Sequence, residues 1–232
     1  MSLVEFIIML AFGVLGYETH SIYVQAATDI AILVVFSTPL IYLLVITPFV
    51  KARDQALEQL NYLAQTDPLT KLPNRRSIFT ELEKFIASTV RHKFYGAALL
   101  LDLDGFKEIN DEYGHAAGDE VLIVVAERLR SRVRVDEIVG RLGGDEFILL
   151  INNLDSQEQM ARDKVMNIAE QLGSLISMPV AYRDLQLKIG VSIGIRIFGV
   201  TETGSESIIK DADTAMYRAK QSGKGRCNIF EA

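Results

Sequence analysis

Arg141-Leu142-Gly143-Gly144-Asp145-Glu146-Phe147 lies between two apolar runs, Ile138-Val139 before it and Phe147-Ile148-Leu149-Leu150-Ile151 after it. Apolar runs on either side of a Gly-Gly pair predict a β-hairpin, because glycine accepts the positive φ angles of tight hairpin turns. Taken alone, its acidic tip reads as a solvated turn. A second acidic strand end, Leu99-Leu100-Leu101-Asp102-Leu103-Asp104, changes that reading. Carboxylates at two strand ends are the hard, sparse oxygen ligands that a divalent cation on nucleotide phosphates requires, with room left for substrate. Without a cation they would repel.

Working outward, the rest of the chain supplies helices and strands around these two ends. Asn74 is placed to cap a helix running to about Arg91, with Ile78, Phe79, Leu82, Phe85 and Ile86 on one face. Tyr95 to Leu101 reads as a buried strand and Phe106 to Tyr113 as a short helix. Gly118 to about Val133 reads as a longer helix with Val121, Leu122, Val125 and Leu129 inward. After the hairpin come a helix over Ser156 to Ile176 and a strand over Gln186 to Phe198. In that strand Gly190 and Gly194 mark bends or close backbone approach. A helix over Glu206 to Gln221 and a last strand over Arg226 to Phe230 complete the order. This order predicts an α/β sandwich: a mixed, mostly antiparallel central sheet flanked by helices, on the split βαβ, ferredoxin-like palm plan.

The first fifty residues hold Glu5, Glu18 and Asp29 but none of the chain's 24 Lys and Arg residues. Ile30 to Val50 is uncharged and, as a helix rising about 1.5 Å per residue, long enough to cross a bilayer core of roughly 30 Å. Pro39 and Pro48 are compatible with a membrane helix, whose surroundings re-satisfy the freed carbonyls. Residues 3–17 fit a short first span, an interfacial helix or the remnant of a longer membrane region; the lack of a preceding basic residue disfavours a secretory signal. Lys51 and Arg53 put the C-terminal end of the firm span in the cytoplasm. The organisation is thus a membrane region over 1–50, a linker helix over 51–66 and a soluble domain over 67–232. In the linker, Val50, Leu57, Leu60 and Ala64 have heptad-like spacing interrupted by Arg53, which a parallel coiled coil and a monomeric amphipathic helix fit about equally. Thr66-Asp67-Pro68 ends it. The net charge of −6 gives no footprint for nucleic acid. The single Cys227 excludes an internal disulfide and suits a reducing cytosol.

From Asp67 to Phe230 the chain resembles the GGDEF domain of diguanylate cyclases. Five collinear blocks carry the resemblance: DPLTKLPNRR at Asp67 to Arg76, DLDGFKEINDEYGHAAGDEVL at Asp102 to Leu122, RLGGDEF at Arg141 to Phe147, VSIGI at Val191 to Ile195, and ADTAMYRAKQSGKGR at Ala212 to Arg226. That family condenses two GTP into cyclic di-GMP with release of two pyrophosphates, a phosphoryl transfer that depends on positioning and charge neutralisation.

By this resemblance Asp102, the Leu103 carbonyl and Asp145 would hold Mg²⁺, or Mn²⁺, with Glu146 as a further ligand or water-mediated partner. Asp145 matches the position assigned as general base for the attacking ribose hydroxyl, although a metal can lower that pKa by itself. Gly143 and Gly144 would let guanosine lie against the turn, and Gly105, Phe106 and the following helix would offer N–H groups to phosphates. Lys107, Lys220 and Lys224 match phosphate-binding basic positions, with Lys107 nearest the transferring group. Lys224 replaces an Arg common in relatives, keeping charge but losing the bidentate fork. Asn110 and Asp119 match the guanine-reading pair, which favours GTP over ATP because adenine would leave the acid unpaired. Asp119 also fits a helix N-terminal carboxylate, and His115 reads as a turn residue. The family's inhibitory product site, RxxD, falls on Arg134, Val135, Asp136 and Glu137, where Glu replaces the final Asp. Asp136 cannot substitute, since one residue along a strand changes face.

One such domain holds one GTP, so the resemblance implies a homodimer with the substrates facing across a two-fold axis. Tethering at the inner membrane, with the domain in the cytoplasm, would raise the effective concentration of partners. The rival reading is a catalytically silent module that binds GTP or cyclic di-GMP; its relatives lose signature acids or glycines, which are all present here.

Overall fold

The computed structural model describes residue 10 and residues 22–134, 136–199 and 204–231. They divide into two units, one ending at Asn61 and the other starting at Tyr62. Helix α1 (Ile22–Ile41) runs into a π-helical turn (Tyr42–Ile46) and then α2 (Thr47–Gln65), whose last residues, from Tyr62 on, belong to the second unit. Asp29–Gln55 is one helix long and apolar enough to cross a membrane, with mean hydropathy 2.5. Phe36, Leu43, Leu44 and Phe49 all stand exposed along it. The π turn has an identifiable cause. Pro48 has no N–H to return to the preceding turn, and the Thr47 N–H reaches back five residues to the Tyr42 carbonyl instead. The Thr47 hydroxyl adds a bond of 2.9 Å to that same oxygen. Apart from residue 10, the segment at residues 3–17 lies outside the described residues, as do the side chains of Leu57, Leu60 and Ala64 on which a coiled coil would depend.

The second unit is built on a five-stranded sheet of order β2-β3-β1-β6-β7. Its strands are β1 (Tyr95–Asp104), β2 (Glu137–Gly143), β3 (Glu146–Asp155), β6 (Gly190–Phe198) and β7 (Cys227–Ile229). All neighbours are antiparallel except β6 and β7. The helices are α3 (Arg75–His92), α4 (Phe106–Tyr113), α5 (His115–Arg132), α6 (Glu158–Ile176) and α7 (Ser205–Gln221). The mixed, mostly antiparallel sheet flanked by helices is the one the sequence predicts. Asn74 caps α3 by accepting the Ser77 N–H at 3.1 Å. The end of α2 is tied into the same corner: the Gln65 carbonyl accepts the Asn74 N–H and the Ser77 hydroxyl, each at 2.8 Å.

Period-two alternation divides the core into two layers. Ala97, Leu99, Leu101 and Leu103 of β1 join Phe147, Leu149 and Ile151 of β3 beneath α5 and α6. Ala98 and Leu100 join Ile148 and Leu150 beneath α3 and α7, against Ile78, Leu82, Ile208 and Met216. Continuing the alternation past Leu100, Asp102 belongs to the α3 and α7 side. Arg128 of α5 ties two of these elements together, donating to the carbonyls of Ile176, Met178 and Pro179 at 2.6–2.9 Å.

One expectation is corrected. Gln186 to Phe198 is not a single strand: β5 (Leu185–Leu187) pairs with β4 (Val180–Tyr182) in a separate hairpin, and β6 starts at Gly190. Arg183, at φ 52, makes the turn between them. Val180-Ala181-Tyr182 is too short to give a periodic signal. Helix α5 also starts earlier than Gly118, directly after Gly114.

Candidate active site

The hairpin turn sits where β2 meets β3. Gly143 and Gly144 adopt φ 146 and 52, and the Leu103 N–H donates to the Asp145 carbonyl at 3.3 Å, so the turn is tied to the end of β1. The register places Asp102 directly across from Glu146. These acids sense one another. Burial raises the Asp102 carboxyl above its ordinary value, opposed by the Lys220 hydrogen bond and reinforced by Asp145 and Asp104. Burial likewise raises Glu146, with Asp102, Asp213 and Asp145 adding repulsion and Arg75 opposing it.

Asp102 is 9% exposed and bridges to Lys220 Nζ at 2.7 Å. The family resemblance implies a phosphate role for Lys220; the fold brings it against the carboxylate that the same resemblance gives to the metal. Lys107, second in α4, and Lys224, in the loop after α7, are exposed. Gly105 takes φ 87 at the start of α4. Asn110 and Asp119 come from α4 and α5, which meet where Gly118 has no side chain: a Cβ there would lie 2.1 Å from Asn110 Oδ1. Asp119 is exposed, and Asn110 is half-buried. Glu137 is buried and spends one carboxylate oxygen on the Arg134 backbone N–H at 2.9 Å, while Arg134 is exposed.

The donor set fits a hard divalent cation. Asp102, Asp145 and Glu146 are mutually repelling carboxylates at adjacent strand ends, the repulsion a cation relieves. Among the described residues no three His, Cys, Asp or Glu side chains form a metal cluster by themselves. A cation here would therefore draw on the Leu103 carbonyl and on substrate oxygens as well. Beside the acids, a cleft of about 650 Å³ opens between α3 and α7, lined by Glu146, Arg75, Phe79, Leu142, Lys210 and Asp213.

Several residues around the site escaped the sequence reading although they lie in its motif blocks. Arg141 donates to the Gly144 carbonyl through Nε and a terminal nitrogen, at 3.0 and 2.7 Å, and to Asp67 at 2.9 Å. Asp67 also accepts from the Thr70 N–H and hydroxyl at 2.8 and 2.7 Å. Burial pushes the Asp67 carboxyl up, but Thr70 and Arg141 more than offset it, and the net shift is downward. A depressed carboxyl stabilises the fold above its unfolded pKa and loses that contribution as pH falls through the folded one. Asp67→Asn is therefore expected to lower the melting temperature at pH 7, with the gap to the parent closing as pH drops below 3.8. A gap independent of pH would show that the charge is not what binds Arg141.

Cys227 lies on the far side of the sheet edge. Burial, with Glu170 adding to it, pushes its thiol up from 9.0 to about 11. Iodoacetamide labelling of the folded protein is expected to be very slow at pH 7.5 and to rise about tenfold per pH unit toward pH 10. Fast labelling at neutral pH would contradict this burial.

Strand order, helix layers and the acids at the ends of β1 and the β2–β3 turn define a palm-type α/β domain. The family description "Diguanylate cyclase, GGDEF domain" matches residues 64–226. Over 179 residues, 77% of this chain, the sequence is 42% identical to the bifunctional diguanylate cyclase/cyclic di-GMP phosphodiesterase MucR of Pseudomonas aeruginosa. The chain spans 25% of that curated relative's length. The solved GGDEF domain of TpbB from Pseudomonas aeruginosa is 35% identical, with TM-score 0.67, covering 72% of this chain and 94% of that one. The coiled coil and GGDEF domain of DgcB from Caulobacter crescentus, solved in complex with c-di-GMP, is 27% identical, with TM-score 0.71, covering 79% of this chain and 94% of that one. The chain belongs to the GGDEF-domain diguanylate cyclase family.

Proposed function

We propose that this chain is a diguanylate cyclase that condenses two GTP into cyclic di-GMP and two pyrophosphates across a homodimer. The observation that carries this reading is the facing pair Asp102 and Glu146, with Asp145 tied to the same strand end by the Leu103 N–H. Asp102, Asp145, Glu146 and the Leu103 carbonyl would hold Mg²⁺ or Mn²⁺, which supplies charge neutralisation on the phosphates. Lys107, Lys220 and Lys224 bind phosphate oxygens; Lys220 exchanges part of its contact with Asp102 for substrate. Gly105 and Phe106 offer backbone N–H groups at the start of α4. Asn110 and Asp119 read the guanine edge, with Gly143 and Gly144 beneath the nucleoside. Asp145 takes the proton from the attacking 3′-hydroxyl.

The apolar helix anchors the chain in the cytoplasmic membrane, with Lys51, Arg53 and the catalytic domain on its cytoplasmic side. Arg134 and Glu137 form a weakened product site, because one Glu137 oxygen is already committed to backbone. The test is turnover of the full chain in nanodiscs with GTP and Mg²⁺, reading pyrophosphate and cyclic di-GMP. Product with GTP but not ATP, lost on chelation, is expected. No product from well-folded dimer would leave a nucleotide-binding module in its place.

A further inference from the structure

The acid two residues beyond Asp102 has no part in that mechanism, yet both of its carboxylate oxygens are engaged by the protein itself. The fully buried Ser192 donates its hydroxyl toward Asp104, lying 2.9 and 3.0 Å from the two oxygens. The Gly225 N–H donates to Asp104 Oδ2 at 2.9 Å, across 121 residues of chain. The donor loop is strained at its lysine: Gly223, Lys224 and Gly225 have φ values of 121, 58 and 61 in succession, which glycine adopts freely and lysine does not. A lysine in the left-handed region has to be held there by its surroundings. The Lys224 N–H also donates to the Lys220 carbonyl at 3.3 Å, so the end of α7 and the loop are coupled through backbone. Charge-assisted bonds to a carboxylate are stronger than neutral ones, and among the described residues Asp104 is the acid that accepts from this loop's backbone.

We propose that Asp104 is a positioning residue: seated by Ser192, it pins the Gly223–Gly225 turn so that Lys224 faces the phosphates of the bound nucleotide. This inference deepens the cyclase reading and rests on it. It gives a joint role to the second acid of the β1 motif, the serine of VSIGI and the last glycine of the SGKGR segment. Asp104→Ala frees the Gly225 N–H and lets the strained turn relax. Asp104→Asn keeps one oxygen that can accept from Gly225.

Two measurements on the full chain in nanodiscs test it. The first is binding of a nonhydrolysable GTP analogue with Mg²⁺ to the parent, Asp104→Ala, Asp104→Asn, Lys224→Ala and the Asp104→Ala/Lys224→Ala double variant. The second is limited trypsin cleavage at the Lys224–Gly225 bond, read by mass spectrometry. Binding is expected to weaken about tenfold in either alanine variant and no further in the double variant, because residues acting through one contact are not additive. Cleavage should speed up about tenfold in Asp104→Ala, as it tracks the population of the open turn, and Asp104→Asn should restore most of both properties. Effects that multiply in the double variant, or unchanged cleavage in Asp104→Ala, overturn the proposal. A parent chain that binds no analogue overturns the nucleotide reading and the role of Lys224 with it, while the cleavage rates still decide whether Asp104 holds the turn.

Discussion

Asp102→Ala and Asp145→Ala are each expected to reduce cyclic di-GMP formation by at least about a thousandfold, a loss of roughly 4 kcal/mol of transition-state stabilisation. Asp102 is the innermost acid of the site, at the end of the central strand β1 and across from Glu146. Under the proposed function its removal takes away a hard oxygen ligand, and it breaks the 2.7 Å bridge to Lys220. The fold should survive. A carboxyl whose pKa is raised by burial is one whose ionised form is disfavoured by folding, so its loss does not strip the native state of a stabilising charge. Lys220 keeps access to water, its side chain being 32% exposed. Melting temperatures within about 4 °C of the parent are expected, an effect on the order of 1 kcal/mol. Product formation at a tenth of the parent rate by folded Asp102→Ala would remove this acid from the centre of the reaction.

The backbone of the site was legible in the sequence because two local patterns carry it. The buried run Tyr95 to Leu101 with its acidic end gives β1, and the Gly-Gly pair between apolar runs gives the hairpin beside it. The alternation of faces along a strand held more than was read from it. Leu100 and Asp102 share a parity, so Asp102 had to face whatever helix covers Leu100; that helix is α7, which carries Lys220. Asp67 with Arg141, and Asp104 with Ser192 and Gly225, could not be read this way. Their partners lie 74, 88 and 121 residues apart and are brought together by strand order, which hydrophobic periodicity does not encode. The β4–β5 hairpin escaped for a different reason: three-residue strands are shorter than the window in which a period of two can be counted. The roles of Asn110, Asp119 and the lysines came from resemblance alone. To these the fold adds that α4 and α5 meet over Gly118 and that Lys220 bridges to Asp102.

Gly194→Ala is expected to be the most destabilising methyl that can be added to the sheet. Gly194 of β6 pairs with Leu100 of β1 on one side and with Asn228 of β7 on the other, beneath α7. A Cβ there would lie 2.0 Å from the Ala212 carbonyl oxygen and 2.2 Å from the Met216 amide nitrogen. Both are backbone atoms of a helix interior, so no rotamer change relieves the clash. The helix must lift or the strand must bend. Overpacking of this kind costs about 3 kcal/mol or more, which for a domain of this size lowers the melting temperature by roughly 6–12 °C. The damage reaches the site as well, since lifting α7 draws Lys220 away from Asp102. Gly173→Ala is the matched control: it lies inside α6, and its Cβ would meet no atom within 4 Å. There the added methyl removes unfolded-state freedom and should stabilise by about 0.5–1 kcal/mol. Thermal unfolding of the two variants by circular dichroism should therefore move in opposite directions from the parent. Equal melting temperatures would mean that α7 can retreat from the sheet without loss, and that the sheet does not fix the position of Lys220.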